Sequence, residues 1–465
     1  MDNVKTLLVN TKQDTPLNVE HNSIINRQVA ALENLTRSIP SLFKDTLSSE
    51  QLTNIINNGF FNPTEDEHIS YWFARFIIIR KNLWSIIETG INNTGGIHKL
   101  SVKQDYQYFV LGYSAVCSLI RIDRFLINNV ANDPLIQRKL NEALPEHRIE
   151  RKQFHYIQKS LVQPSNAIRI HQAHRLLKRK YSEILNAVSN TPLETVFERL
   201  PQQERFIVLS RRHYLISWLK SRKLNWKRRG ASAKQKSFFS ILEYGGRLAA
   251  DIAIPSPKKV TPDIRKSLMS LLEPGDIFIT RHSKSLTNLF LPGFWPHAAL
   301  YIGSAGDRKR LKIELSDKHE KDWGDKNCTF EALKDGLHFR PLHETLNVDS
   351  FVVIRPNMAD QHKAKAISRV LKHAGKGYNF DFDFFRSDQL VCTEVIYRAY
   401  DGINNFNIPL KERMSRKTLS AEDLLDLALD TEWAKPVAIF GVGKNKSSLT
   451  SNAQVPTILS ESYRK

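Results

Sequence analysis

A cysteine stands at residue 392 in DQLVCTEVIYRAY, at the head of a run whose apolar residues recur at helical spacing. Thiol chemistry is favoured there, because the amide groups at a helix N-terminus carry partial positive charge and stabilise the thiolate, which is the nucleophilic form. Such a nucleophile also needs a base within hydrogen-bond reach and a group that orients the base. His297, which opens HAALYIG behind the turn PGFWP, is the candidate base. Glu314 in LKIELS is the candidate orienter. If these two runs pair as a hairpin across SAGDRKR, Ala299 lies opposite Glu314, and His297 and Glu314 become diagonal neighbours on one sheet face. A carboxylate there favours imidazolium and fixes the tautomer of the neutral ring. Asp388, four residues before the cysteine, is placed to order the turn into the helix and is grouped with the substrate-binding residues.

The elements that must hold these groups fall into two regions. From Asn22 to about Ala249 the chain reads as successive helices separated by polar breaks such as FNPTEDE at 61–67 and NNTGG at 92–96. The stretch 252–262, IAIPSPKKVTP, with three prolines and two lysines, marks a boundary. Beyond it come short β-like runs at 276–280, 297–302, 311–315 and 351–354, each bounded by Gly, Pro or charged turn residues. Helices are expected at about 361–373, 392–400 and 421–429. The expectation is an N-terminal tail over 1–21, an all-α region over 22–251, a linker over 252–269, an α+β domain over 270–443 and a polar, poorly ordered tail over 444–465.

The order GDIFITR, WPHAALYIG, LKIELS, GKGYNFDF and DQLVCTEVIYRAY, spread over about residues 270–430, resembles the permuted branch of the NlpC-type papain-like cysteine hydrolases, especially its YiiX-like group. In that branch the strands carrying the histidine precede the helix carrying the cysteine. The resemblance implies a circularly permuted papain-like domain, a small antiparallel sheet with packed helices. It also implies that Cys392 is the nucleophile, His297 the general base and Glu314 the third polar residue. Tyr378, in GKGYNF, matches a motif tyrosine lining the substrate cleft, and the Cys392 N–H would supply one oxyanion donor. The implied reaction is attack on an amide or acyl-ester carbonyl through an acyl-thioester, with no cofactor. Acyl transfer to another acceptor remains open beside hydrolysis.

Charge sets the helical region apart. The chain of 465 residues carries a net +20, yet residues 151–270 alone hold 25 Lys/Arg against 7 Asp/Glu. From Arg205 to Phe238 there are eleven Lys/Arg and no acidic residue, interleaved with Tyr214, Trp218 and Trp226. Arg211, Arg212, Lys220, Arg222, Lys223, Lys227, Arg228 and Arg229 are the candidates for binding an anionic membrane surface. Nucleic acid is the less favoured partner of the same charges. A non-catalytic adaptor working through this basic region is the alternative to an enzyme. Three dispersed cysteines, Cys117, Cys328 and Cys392, without a CxxC pair, suggest neither a disulfide framework nor a structural zinc site. His171 and His174 have helical spacing but no evident third ligand, so no metal is assigned. With no signal-like N-terminal segment and no apolar run of spanning length, the expected location is cytoplasmic or peripheral on the membrane.

Overall fold

The run SFVVIRP is apolar at successive positions, the pattern of a strand covered on both faces. In the computed structural model Phe351, Val352, Val353 and Ile354 are fully buried inside a six-stranded sheet. The structure describes residues 16–94, 100–144, 147–207, 260–281, 294–333, 335–379, 389–413, 416–443 and 446–464. The chain divides into two units, one comprising Met1–Leu52 with His68–Trp226 and the other Thr53–Glu67 with Lys227–Lys465.

The strands are β1 (Ile277–Arg281), β2 (His297–Gly303), β3 (Cys328–Leu333), β4 (Gly336–Pro341), β5 (Ser350–Pro356), β6 (Gly377–Tyr378), β7 (Gln389–Leu390), β8 (Lys411–Arg413), β9 (Arg416–Thr418) and β10 (Ala434–Phe440). The large sheet has the order β10-β5-β1-β2-β3-β4, with every neighbouring pair antiparallel. Alternate residues feed two apolar layers. Ile277, Ile279, Ala298, Leu300, Val352 and Ile354 pack in one layer with Val395, Ile396 and Ala399 of the helix Cys392–Tyr400. Phe278, Ala299, Tyr301, Phe351 and Val353 pack in the other with Leu268 and Leu342. Each large apolar side chain so buried contributes about 1.5–3 kcal/mol. The expected helices are found at Asp360–Leu371, Cys392–Tyr400 and Ala421–Asp430.

Three expectations change. The run at 311–315 is not a strand. Ser304 and Asp307 form a reciprocal capping box that starts a helix at Ala305–Arg310, so SAGDRKR is a helix start and not a hairpin loop. Arg308 of that helix is buried and donates to the carbonyls of Gly303, Trp323, Gly324 and Lys326, tying down the excursion between β2 and β3. The polar tail carries a helix, Val455–Tyr463, whose Val455 and Leu459 enter the main apolar layer. The Pro/Lys linker ends in a helix, Pro262–Met269, N-capped by Thr261 and seated through Leu268.

The other unit is helical. Its helix Lys103–Phe125 is mostly buried and packs against Pro16–Lys44, Tyr181–Val188 and Leu193–Glu204. A β-carbon at Gly90 would stand 3.1 Å from the Gly112 Cα, so this glycine pair lets two helices cross closely. Polar side chains pair within it: Arg80 with Asp123 at 3.0 Å, and Tyr113 and His174 with Glu204 at 2.7 and 2.8 Å. Cys117 is buried in this unit, where burial pushes its thiol far up. No described helix is long and apolar enough to cross a membrane.

Candidate active site

Cys392 is the first residue of its helix, preceded by Val391 in an extended conformation. The apolar stripe on the helix packs it against β2, the strand that His297 opens. These two placements put the thiol in hydrogen-bond contact with the imidazole. Cys392 is 4 % exposed, and its sulfur lies 3.9 Å from the Pro296 carbonyl oxygen.

The backbone entering β2 is held on several sides. Phe294 and Trp295 N–H groups donate to the Glu422 carboxylate, and Arg281 donates to the Phe294 carbonyl while lying 4.1 Å from its ring centroid. Trp295 is buried, and its indole N–H donates to Ser462 Oγ at 3.1 Å. The C-terminal helix therefore braces the tryptophan two residues before His297.

His297 Nε2 meets Glu331 Oε2 at 2.6 Å, which leaves Nδ1 as the nitrogen for the thiol. Glu331 lies on β3 and is 1 % exposed. Its other oxygen accepts from Thr345 Oγ1 at 2.8 Å and stands 3.6 Å from Arg340, and Thr345 is in turn bonded to Thr329 at 2.6 Å. The β2–β3 register pairs Leu300 with Phe330 and Tyr301 with Thr329, and one step further sets Glu331 opposite Ala299. The diagonal relation expected of Glu314 is thus real but belongs to Glu331, because the strand next to β2 is β3 and not the segment at 311–315. Glu314 is exposed in irregular chain. Glu331 was missed because β3, CTFEAL, is not among the expected β-like runs. The signal was present in CTFEAL followed by Asp335–Gly336, since Asp-Gly between alternating runs marks a tight hairpin, and β3 and β4 pair from Leu333↔Gly336 to Cys328↔Pro341. Cys328 is accordingly a buried strand residue.

Electrostatics follow from this packing. Burial pushes the Cys392 thiol up, but the His297 imidazole and the N–H groups of Ala298 and Thr393 more than offset it, and the thiol sits below its ordinary value. Burial alone would lower His297, yet the bonds to Cys392 and Glu331 prevail and push it up to about 10. Glu331 is held below the usual carboxylate range, with its burial outweighed first by His297. The arrangement stabilises a thiolate–imidazolium pair next to a fixed carboxylate. Tyr378 joins it: β6 pairs with β7 immediately before Val391, and the phenol is pushed up by burial and by the neighbouring Cys392. Asp388 and the basic set Arg211, Arg212, Lys220, Arg222, Lys223, Lys227, Arg228 and Arg229 lie outside the described residues.

Residues 271–455 match the family described as permuted papain-like amidase enzyme, YaeF/YiiX, C92 family. This segment is similar to the permuted papain-like amidases. The match spans the whole sheet and the Cys392, His297, Glu331 and Tyr378 positions, and it leaves the helical unit outside. Curated proteins and solved structures give no match to the chain. A domain of this family is a cysteine hydrolase acting on amides, and its fold, α+β with an antiparallel sheet, agrees with the architecture described above.

Proposed function

We propose that this protein hydrolyses an amide bond through Cys392 as nucleophile, His297 as acid and base, and Glu331 as the group that orients the imidazole. The observation that carries the reading is the contact series Cys392–His297–Glu331, with the thiol held low and the imidazole held high. The thiolate attacks the amide carbonyl carbon, forming a C–S bond while the carbonyl π electrons move to oxygen. The N–H of Cys392, a first-turn amide of the helix, faces that developing charge. Collapse breaks the C–N bond as His297 gives its proton to the leaving amine. Neutral His297 then takes a proton from water, which attacks the thioester, and C–S cleavage releases the acid and restores the thiolate. Tyr378 borders the bound substrate beside the sulfur.

The excess positive charge of residues 151–270, 25 Lys/Arg against 7 Asp/Glu, supports docking on an anionic lipid surface. That places amides of lipids or of lipid-linked peptides first among the substrates. Intact-mass trapping tests both parts, using N-acyl amide probes with and without phosphatidylserine vesicles. The expected result is an acyl adduct on Cys392, absent in Cys392→Ala, that forms faster with vesicles at low salt. No adduct with any acyl probe would sink the hydrolase reading, and a vesicle-independent rate would remove the membrane part alone.

A further inference from the structure

The helix that presents Cys392 carries two buried ionisable groups of its own. Glu394 and Arg398, one turn apart, are 0 % and 1 % exposed and meet at 3.2 Å. Arg398 is also 3.7 Å from the carboxylate of Asp66 and 3.4 Å from the Phe61 carbonyl oxygen. Asp66 is itself 4 % exposed. It belongs to Thr53–Glu67, the stretch that groups with the catalytic unit although it lies some 200 residues ahead of the matched segment. Beside it Glu67 pairs with Arg369 and Lys372 at 3.3 and 3.2 Å. The acidic FNPTEDE segment therefore fits a basic surface made by the nucleophile helix and its neighbour Asp360–Leu371.

At the other end of the series, burial pushes the Glu394 carboxyl up to about 8 against Arg398 and the Val391 N–H, both of which favour its charged form. Val391 immediately precedes the nucleophile. Ionisable groups at this depth cost several kcal/mol each to desolvate, and apolar residues of equal volume would seal the contact at lower cost.

We propose that Asp66, Arg398 and Glu394 form a buried positioning relay through which residues 53–67 fix the first turn of the nucleophile helix, so that the working amidase domain includes a segment outside 271–455. The relay rests on the reading of Cys392 as the activated thiol. It acts through the nucleophile and touches no substrate.

The test is iodoacetamide labelling of the full chain across pH, read by peptide mass at Cys392 and at Cys328, in wild type, Asp66→Ala, Asp66→Asn, Arg398→Lys and Glu67→Gln. Cys328, buried in β3 of the same unit, reports general loosening. Asp66→Ala and Arg398→Lys should slow Cys392 labelling at pH 6 by about tenfold, an upward shift of about one pH unit, while Cys328 stays protected. Glu67→Gln should label like wild type. If Asp66→Ala does not fold, the isosteric Asp66→Asn carries the same comparison. Unchanged Cys392 labelling in the Asp66 and Arg398 variants, or slowed labelling accompanied by newly reactive Cys328, would overturn the relay. A wild-type Cys392 with ordinary thiol reactivity would overturn the catalytic reading and the relay together.

Discussion

The thiol of Cys392 and the imidazole of His297 move in opposite directions because each is the other's nearest counter-charge, in a site where burial opposes both charged forms. For His297 the folded-state value lies above the unfolded one. Its contribution to stability is therefore complete below about pH 6.5 and is lost as pH rises through about 10. Glu331 supplies part of that lift, and Thr345 and Arg340 hold its second oxygen. Replacing Glu331 by Gln keeps the shape and removes the charge, so kcat for amide hydrolysis should fall by about a hundredfold with KM little changed. Glu314→Gln should leave kcat within about twofold, as exposed substitutions do. Steady-state kinetics of the two variants distinguish the carboxylates, and equal losses would remove Glu331 from its role. Cys392 and His297 could be picked out from the sequence because each opens an element with a strong pattern of its own. The carboxylate could not, because which strand lies beside β2 depends on a chain excursion that local pattern does not reveal.

At the scale of elements, the central strands and the helices after them were legible because each is apolar over a full run or at full helical period. The failures were at short polar segments whose structure depends on caps and distant partners. SAGDRKR encodes a capping box, and KNKSSLTSNAQVPTILSESYRK hides a helix behind a polar average. Within that helix only Val455 and Leu459 are buried, two residues at helical spacing, which a composition reading discards. Leu459 is nevertheless fully buried in the main apolar layer, and Ser462 of the same helix braces Trp295. Leu459→Ala should cost about 2–5 kcal/mol. Calorimetry would show a lowered Tm, and an unchanged Tm would mean that this helix does not belong to the folded core.

For the whole molecule, the division at 252–269 was drawn where residue types change, but the chain does not divide at one point. The acids Asp66 and Glu67 lie in a segment expected as a polar break between helices, and they instead stand against Arg369, Lys372 and Arg398. Such complementarity joins residues about 300 positions apart, and no periodicity within either segment announces it. The basic stretch from Arg205 to Phe238 was legible as charge alone. The central claim is that Cys392 is an activated thiolate paired with His297, and the most direct measurement is the pH dependence of Cys392 alkylation in wild type and His297→Ala. The account predicts labelling of wild-type Cys392 well below the ordinary thiol range near pH 8.5, with the midpoint returning to or above that range in His297→Ala. A wild-type midpoint at the ordinary thiol value, unmoved by His297→Ala, would contradict it.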